Sequence, residues 1–313
     1  MRGFSLILAI LIVSGTNVFP ADNPYIHEGS IGTQKSIKKP TKIDPSSFRP
    51  IESWVGERFI FLPKTKSSPQ TLYLDFWSGV MEHGMKQYLP YEKYVGRIAK
   101  VLTVNKGQSD DWNLTLQMVD DNQVIEARSL INDTLSDVAP LMDIEDARTK
   151  WQGKPLWYKS TIISTYNAEK DEFKVIELKK YSQVRVVDIV AGWRSEEPVR
   201  FILRAPSGEE GFEDVYWSGT NVYDRQKSYS KSFEESFFAQ DPRKIYKWSK
   251  KIWSAIEDEE VFLGMTIEQA RLSWGKPMQI NRTISHSRKH EQWVYGGRRY
   301  LYFENGLLTA IQD

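Results

Sequence analysis

Cysteine is absent from all 313 residues. Its absence removes disulfides, thiol nucleophiles, thiolate metal ligands and the sulfur a lipid anchor needs, so the fold must rest on its hydrophobic cores. Histidine is scarce, with four copies, and 42 Lys and Arg against 41 Asp and Glu leave a formal charge of +1. With so little net field the molecule as a whole does not select nucleic acid or acidic substrates, which leaves a neutral partner surface or a local patch. Beyond the first residues no apolar run is long enough to span a bilayer.

Catalytic patterns are missing too. His286 and His290 are four apart but lack the intervening Glu of His-Glu-x-x-His, and they fall in an expected loop, where that spacing does not align ligands. A Ser-His-Asp arrangement would need His83, His286 or His290, with His27 in a linker and no Gly-x-Ser-x-Gly elbow in view. The run from Ser207 to Gly211 leads from strand to strand, so no helix N-terminus is there to hold phosphate. Asp120-Asp121, Glu196-Glu197, Glu209-Glu210 and Glu234-Glu235 are adjacent, and neighbours in a strand point to opposite faces. The expectation is a protein with no catalytic residues, no metal site and no cofactor.

What the chain does have is apolar and aromatic surface: 40% hydrophobic residues, 13% aromatic and 11 Trp. Arg2 followed by an apolar run from Phe4 to Val13 and then small residues is the layout of a secretory signal peptide over residues 1–21, with cleavage fitting after Gly15 or after Ala21. Residues 22–50 are polar and Pro-bearing, a linker. The sequence then repeats weakly. Trp54-x-Gly56 answers Trp151-x-Gly153, and Tyr94, Ile98, Val101, Leu114, Leu116 and Ile125 align with Tyr181, Arg185, Asp188, Phe201, Leu203 and Phe212 at a constant spacing of 87.

Alternation makes these segments strands. Val184, Val186 and Asp188 fall against Arg185, Val187 and Ile189, and Val199, Phe201 and Leu203 against Arg200, Ile202 and Arg204. Turns are expected at Asp120-Asp121-Asn122 and Pro206-Ser207-Gly208, a short joining helix over 143–150, and an insertion over 70–90. Two β-rich units, 51–140 and 141–232, follow. Their Trp-x-Gly opening and their Val199–Leu203 and Ser207–Phe212 ending resemble bacterial SH3-like domains, which implies small antiparallel barrels.

Residues 233–313 read as a third unit. Asp241-Pro242 starts a helix carrying Ile245, Trp248, Ile252 and Ile256 to Glu257, with Arg243, Lys244, Lys247, Lys250 and Lys251 on the remainder. Those charges suit an anionic membrane surface or an acidic partner, although Glu257 to Glu260 reverses the sign beside them. Thr266 with Gln269 is a capping box, Gly275 and Pro277 a stop, and Asn305-Gly306 a hairpin turn. In the strands, Trp293 and Tyr295 share one face and Tyr300 and Tyr302 share one face, with Arg298 and Arg299 at the rim, a candidate partner surface.

The order Gly264-Met265-Thr266, Gly275-x-Pro277, Trp293-x-Tyr295-Gly296 over residues 261–312 resembles the SmpA/OmlA family, the BamE-like domains. That resemblance implies helices packed on a three-stranded antiparallel sheet and a non-enzymatic role in outer-membrane assembly; the family's lipidated cysteine is missing here. The expected fold class is therefore α+β: two SH3-like barrels followed by an α+β domain. The expected function is a non-catalytic, unlipidated envelope protein that binds or scaffolds through protein contacts. A cell-wall module gripping peptidoglycan peptides through SH3-like grooves is the alternative.

Overall fold

Trp54-x-Gly56 and Trp151-x-Gly153 make the same turn twice. Gly56 N donates to Val101 O and Val101 N to Glu57 O, both at 2.9 Å, while Gly153 N donates to Val186 O at 2.9 Å and Val186 N to Lys154 O at 3.0 Å. Both glycines sit at positive φ, 90° and 74°, where a side chain would be strained. The computed structural model describes residues 48–312 except 69–70, 81, 131–132, 224–229 and 286–287. The segments expected to be a signal peptide, 1–21, and a linker, 22–50, lie outside these described residues except for 48–50.

Strands β1 (Arg58–Phe61), β2 (Leu72–Val80), β3 (Lys86–Pro90), β4 (Ile98–Lys106), β5 (Trp112–Met118), β6 (Val124–Ser129) and β7 (Val138–Pro140) form one antiparallel sheet, with the short helix α1 (Tyr91–Tyr94) between β3 and β4. After helix α2 (Leu141–Trp151) come β8 (Pro155–Tyr158), β9 (Ile162–Asn167), β10 (Glu172–Glu177), β11 (Gln183–Arg194), β12 (Glu197–Arg204), β13 (Glu210–Val215), helix α3 (Phe233–Ser236) and β14 (Phe237–Phe238). The strand orders are β3-β2-β6-β5-β4-β1-β7 and β10-β9-β13-β12-β11-β8-β14. They are one topology used twice.

Register equates particular residues. Val101 faces Leu116 as Val186 faces Leu203, and both ladders slip at the next residue, a β-bulge at Leu102 and again at Val187. Leu116 faces Ile125 as Leu203 faces Gly211, so Ile125 answers Gly211 and not Phe212. The spacing therefore changes from strand to strand, and the constant 87 is corrected. Bulges and turns set the difference: Met118 N reaches Gln123 O around the Asp120 turn, whereas Ala205 N reaches Glu209 O around Pro206-Ser207-Gly208. The bulge at Val187 also turns Ile189 inward, where it is buried, in place of Asp188.

The insertion expected over 70–90 is corrected: its described strands, β2 and β3, pair within the first sheet as β9 and β10 pair within the second. Tyr181 does not answer Tyr94. Gly96 N donates to Phe61 O and Tyr181 N to Tyr158 O, so Tyr181 occupies the place of Gly96, and both have φ in the left-handed region, 61° and 75°.

Each sheet buries one face. Phe59, Phe61, Tyr73, Phe76, Leu114 and Leu116 build the first core. Leu156, Tyr158, Val199, Phe201 and Leu203 build the second, joined by Ile144 and Ala147 of α2 and by Phe233 and Phe237. Asn221 ties the repeats together: its side-chain oxygen accepts from Leu135 N at 2.7 Å and its amide donates to the carbonyls of Leu135 and Val138. Asp143 in α2 is buried nearby, accepting from Ser218 N and Oγ at 3.1 and 2.8 Å with Arg49 at 3.7 Å. Burial pushes its carboxyl up to about 6, the bonds from Ser218 opposing that shift.

A folded-state value above the unfolded one, near 4, means the folded form holds the proton more tightly. The stability linked to Asp143 is then full below about pH 4 and lost as pH rises through about 6. Asp143→Asn should flatten urea-denaturation stability across that window by about 2–3 kcal/mol, and an unchanged slope would refute this account.

The remaining chain forms helices α4 (Pro242–Ile245), α5 (Lys250–Glu257) and α6 (Ile267–Trp274) and a sheet of β15 (Gln279–Ser285), β16 (Arg288–Val294), β17 (Tyr300–Glu304) and β18 (Leu307–Gln312). The expected single basic helix is broken. Asp241 caps α4 as expected, but Tyr246 is extended and Ser249 caps a new start at α5. Thr266 and Gln269 make both bonds of the capping box, Gly275 closes α6 at φ 81°, and Asn305 and Gly306 turn the last hairpin at φ 50° and 86°.

Among the described residues eighteen strands lie in three antiparallel sheets of seven, seven and four. The α+β expectation is thus corrected. Strands dominate, the repeats are seven-stranded open sheets and not SH3-like barrels, and the last sheet has four strands, not three. Alternating sequence signals strands without saying how many join one sheet, which short edge strands such as β7 and β14 decide.

Candidate functional site

Hydrogen-bond register sorts the aromatic residues of the last sheet. Trp293 faces Leu301 and Gln292 faces Tyr302, so Trp293 and Tyr295 lie on the face with Leu301 and Phe303, and Tyr300 and Tyr302 lie on the other. The first face is core. Trp293 is wholly buried, Tyr295 nearly so, and Ala255 of α5 and Ala270 of α6 pack with them. Trp293 Nε1 donates to Glu291 at 2.9 Å and Tyr295 Oη to Gly275 O at 3.1 Å. Burial pushes the Tyr295 phenol above its ordinary range. It also pushes the Glu291 carboxyl up, yet bonds from Lys289 and Trp293 outweigh it and hold that group below the usual glutamate range.

No described helix packs over the second face. Across it runs a ladder of neutral polar groups that touches all four strands. Gln279 Nε2 donates to Asn281 Oδ1 at 2.6 Å, Asn281 Nδ2 to Gln292 Oε1 at 2.9 Å, Gln292 Nε2 to Tyr302 Oη at 3.1 Å, and Tyr302 Oη to Gln312 Oε1 at 3.0 Å. Donors and acceptors follow in one direction, each amide orienting the next. Tyr300 lies beside Tyr302 on this face, half-buried, and Thr283 and His290 extend it, exposed. The ion pair of Arg288 with Glu304 at 3.4 Å closes one margin. Arg298 and Arg299 are exposed at the turn before β17, with the Arg299 guanidinium 5.2 Å from the Trp274 ring.

The ladder amides carry no signal of their own in the sequence. Gln279 and Asn281 two apart, and Gln292 between His290 and Val294, alternate as outward strand residues should, but only register joins them into one row.

The basic residues are spread over the broken helix. Arg243 is a tether: its guanidinium bonds Glu257 Oε1 at 2.9 and 2.5 Å, pairs with Asp241 at 3.3 Å and lies 5.6 Å from the Trp253 ring. Lys250 with Arg243, Trp248, Trp253, Ser254 and Glu257 lines an open cavity of about 360 Å³. Lys251 Nζ sits 5.0 Å from the Phe262 ring, and Lys244 and Lys247 are exposed. These cations do not form one stripe.

His83 lies in a left-handed turn at φ 66° and His290 is exposed on β16 opposite Thr283; His286 lies outside the described residues. Among the carboxylate pairs, Asp120 and Asp121 both hold Arg97, at 2.6 Å each. Glu197 accepts from Lys231 N at 2.8 Å, and Glu235 closes a capping box on Ser232. Glu210 pairs with Arg204 at 2.6 Å.

No family model matches the chain, and no curated protein or solved structure matches it.

Proposed function

We propose that this chain is a non-catalytic binding or scaffolding protein of the cell envelope, and that the amide and tyrosine face of its last sheet is the contact surface. The observation that carries the reading is the uncovered ladder from Gln279 to Gln312 with Tyr300 and Tyr302 beside it. A flat face of Tyr, Asn and Gln offers rigid aromatic area together with adaptable hydrogen bonding, the composition favoured in recognition surfaces. Its groups are neutral, which suits a chain whose net charge is +1. The apolar leader at Phe4 to Val13 supports export, and the SmpA/OmlA resemblance over 261–312 supports a partner among envelope-assembly proteins.

Photo-crosslinking in the exporting host tests this. A crosslinker at Tyr302 should trap an envelope protein, whereas one at Lys247 should not. Tyr302→Ala with Gln292→Ala should weaken retention of that partner by tenfold or more, roughly the loss of one anchoring side chain. Lys247→Glu with Lys251→Glu should leave retention largely intact at physiological salt, because exposed charges contribute about 1 kcal/mol or less. If the charge reversals proved the damaging change, the contact surface would be the segment around α5 instead.

A further inference from the structure

β10 is an edge of the second sheet, and β3 is the edge that answers it in the first. The two are finished differently. β3 ends on Pro90 and meets β2 across two register shifts, devices that keep one sheet edge from pairing with another. β10 has no proline, and its register with β9 is unbroken from Glu172 to Glu177.

Its free backbone groups can be named. Leu178 N donates to Thr161 O at 2.7 Å, one step beyond the β9–β10 ladder. Bonded and non-bonded pairs alternate in an antiparallel ladder, so the N–H and C=O groups of Phe173, Val175 and Glu177 point away from β9 toward the open side. The Phe173 and Val175 side chains are 54% and 55% exposed on the sheet's outer face. Phe173 continues into a ring cluster, 4.9 Å from Tyr166 and 5.6 Å from Trp193, and Trp193 is 5.2 Å from Phe212. Arg200 lies against Trp193 and Phe212 at 3.6 and 3.8 Å, fixed by two 2.7 Å bonds to Asp214. In the first sheet the corresponding positions hold Asn113 and Glu126 in place of Arg200 and Phe212, so the shared topology does not require this cluster.

We propose that β10 pairs with β10 of a second copy of this chain about a two-fold axis at Phe173, joining two second sheets into one. Charge selects that axis. Opposed residues in antiparallel pairing share a face, so an axis at Phe173 sets Glu172 against Lys174 of the second copy, twice. An axis at Lys174 opposes two lysines, one at Glu172 opposes two glutamates, and one at Val175 opposes no charges of opposite sign. With the axis at Phe173, its outward N–H and C=O meet their counterparts reciprocally, and two exposed phenyl rings come together.

Sedimentation velocity of the full chain over a concentration series tests the pairing. The expected result is a concentration-dependent dimer. Lys174→Glu should weaken it by about tenfold or more, and Glu172→Lys combined with Lys174→Glu should restore it. Val175→Pro should abolish the dimer, while its melting curve reports whether the monomer still folds, since the lost N–H points outward. A chain that stays monomeric throughout its soluble range, a dimer indifferent to Lys174→Glu, or a double reversal that fails to restore association would each overturn the proposal.

Discussion

Trp293→Ala is expected to destabilise the last sheet by about 3–5 kcal/mol, the cost typical of deleting a fully buried large aromatic. The ring has no exposed surface, lies 4.8 Å from Phe303 and 5.1 Å from the Arg271 guanidinium, and donates to Glu291. Removing it opens a void between the sheet and α6 and takes one donor from a buried carboxylate, leaving Lys289 and Arg282 to hold Glu291 at 2.7 and 3.3 Å. Trp293→Phe separates the two contributions: it keeps much of the packing and loses only the donor, an effect of about 1.5–3 kcal/mol for a bond to a charged group. Urea denaturation, with hydrogen exchange over 279–312 to locate the loss, measures both. A Trp293→Ala protein as resistant as the parent would show that this ring is not part of the core.

The contrast between Trp293 and Tyr302 marks how far the sequence alone reaches. Period-two alternation puts Trp293 with Tyr295 and Tyr300 with Tyr302, and the structure keeps both pairs. Which pair faces the helices depends on the register between β16 and β17, where a slip of one residue exchanges the two faces. Local signals survive because their causes are local: the Thr266 capping box, the Asp241 cap and the Asn305-Gly306 turn each close within a few residues. The Trp-x-Gly repeat was legible for the same reason, since a glycine is needed where the turn has positive φ. Sheet size was not legible. β7 and β14 are three and two residues long, and their membership rests on pairing with β1 and β8 alone. The broken basic helix has a cause visible in the sequence, Ser249, whose side chain caps Ile252 N and offers a second helix start.

Tyr181 shows the repeat bent to a new use, and its substitutions carry an unusual sign. Where the first sheet has Gly96, this tyrosine holds φ 61°, a conformation costing an ordinary side chain about 1–2 kcal/mol. Packing against the C-terminal segment offsets that strain. The ring meets Phe238 at 5.7 Å and Trp253 at 6.1 Å, and Oη donates to Leu272 O at 2.7 Å, while the neighbouring Lys180 pairs with Glu259 at 3.1 Å and also donates to Ser273 O. Burial pushes the Tyr181 phenol above its ordinary range, so it remains a donor to that carbonyl at neutral pH. Tyr181→Ala removes the packing and the hydrogen bond while keeping the strained backbone, at a cost of about 3–5 kcal/mol. Tyr181→Gly removes the same ring and hydroxyl but relieves the strain, so it should be about 1 kcal/mol more stable than Tyr181→Ala, reversing the usual penalty for glycine. Gly96→Ala, by the same reasoning, should cost about 1 kcal/mol through backbone strain alone, since it deletes no side chain. Urea midpoints of the three variants decide it: an alanine variant at position 181 equal to or better than the glycine variant would mean that the backbone there relaxes out of positive φ, and that Tyr181 is held by no strain for the C-terminal packing to offset.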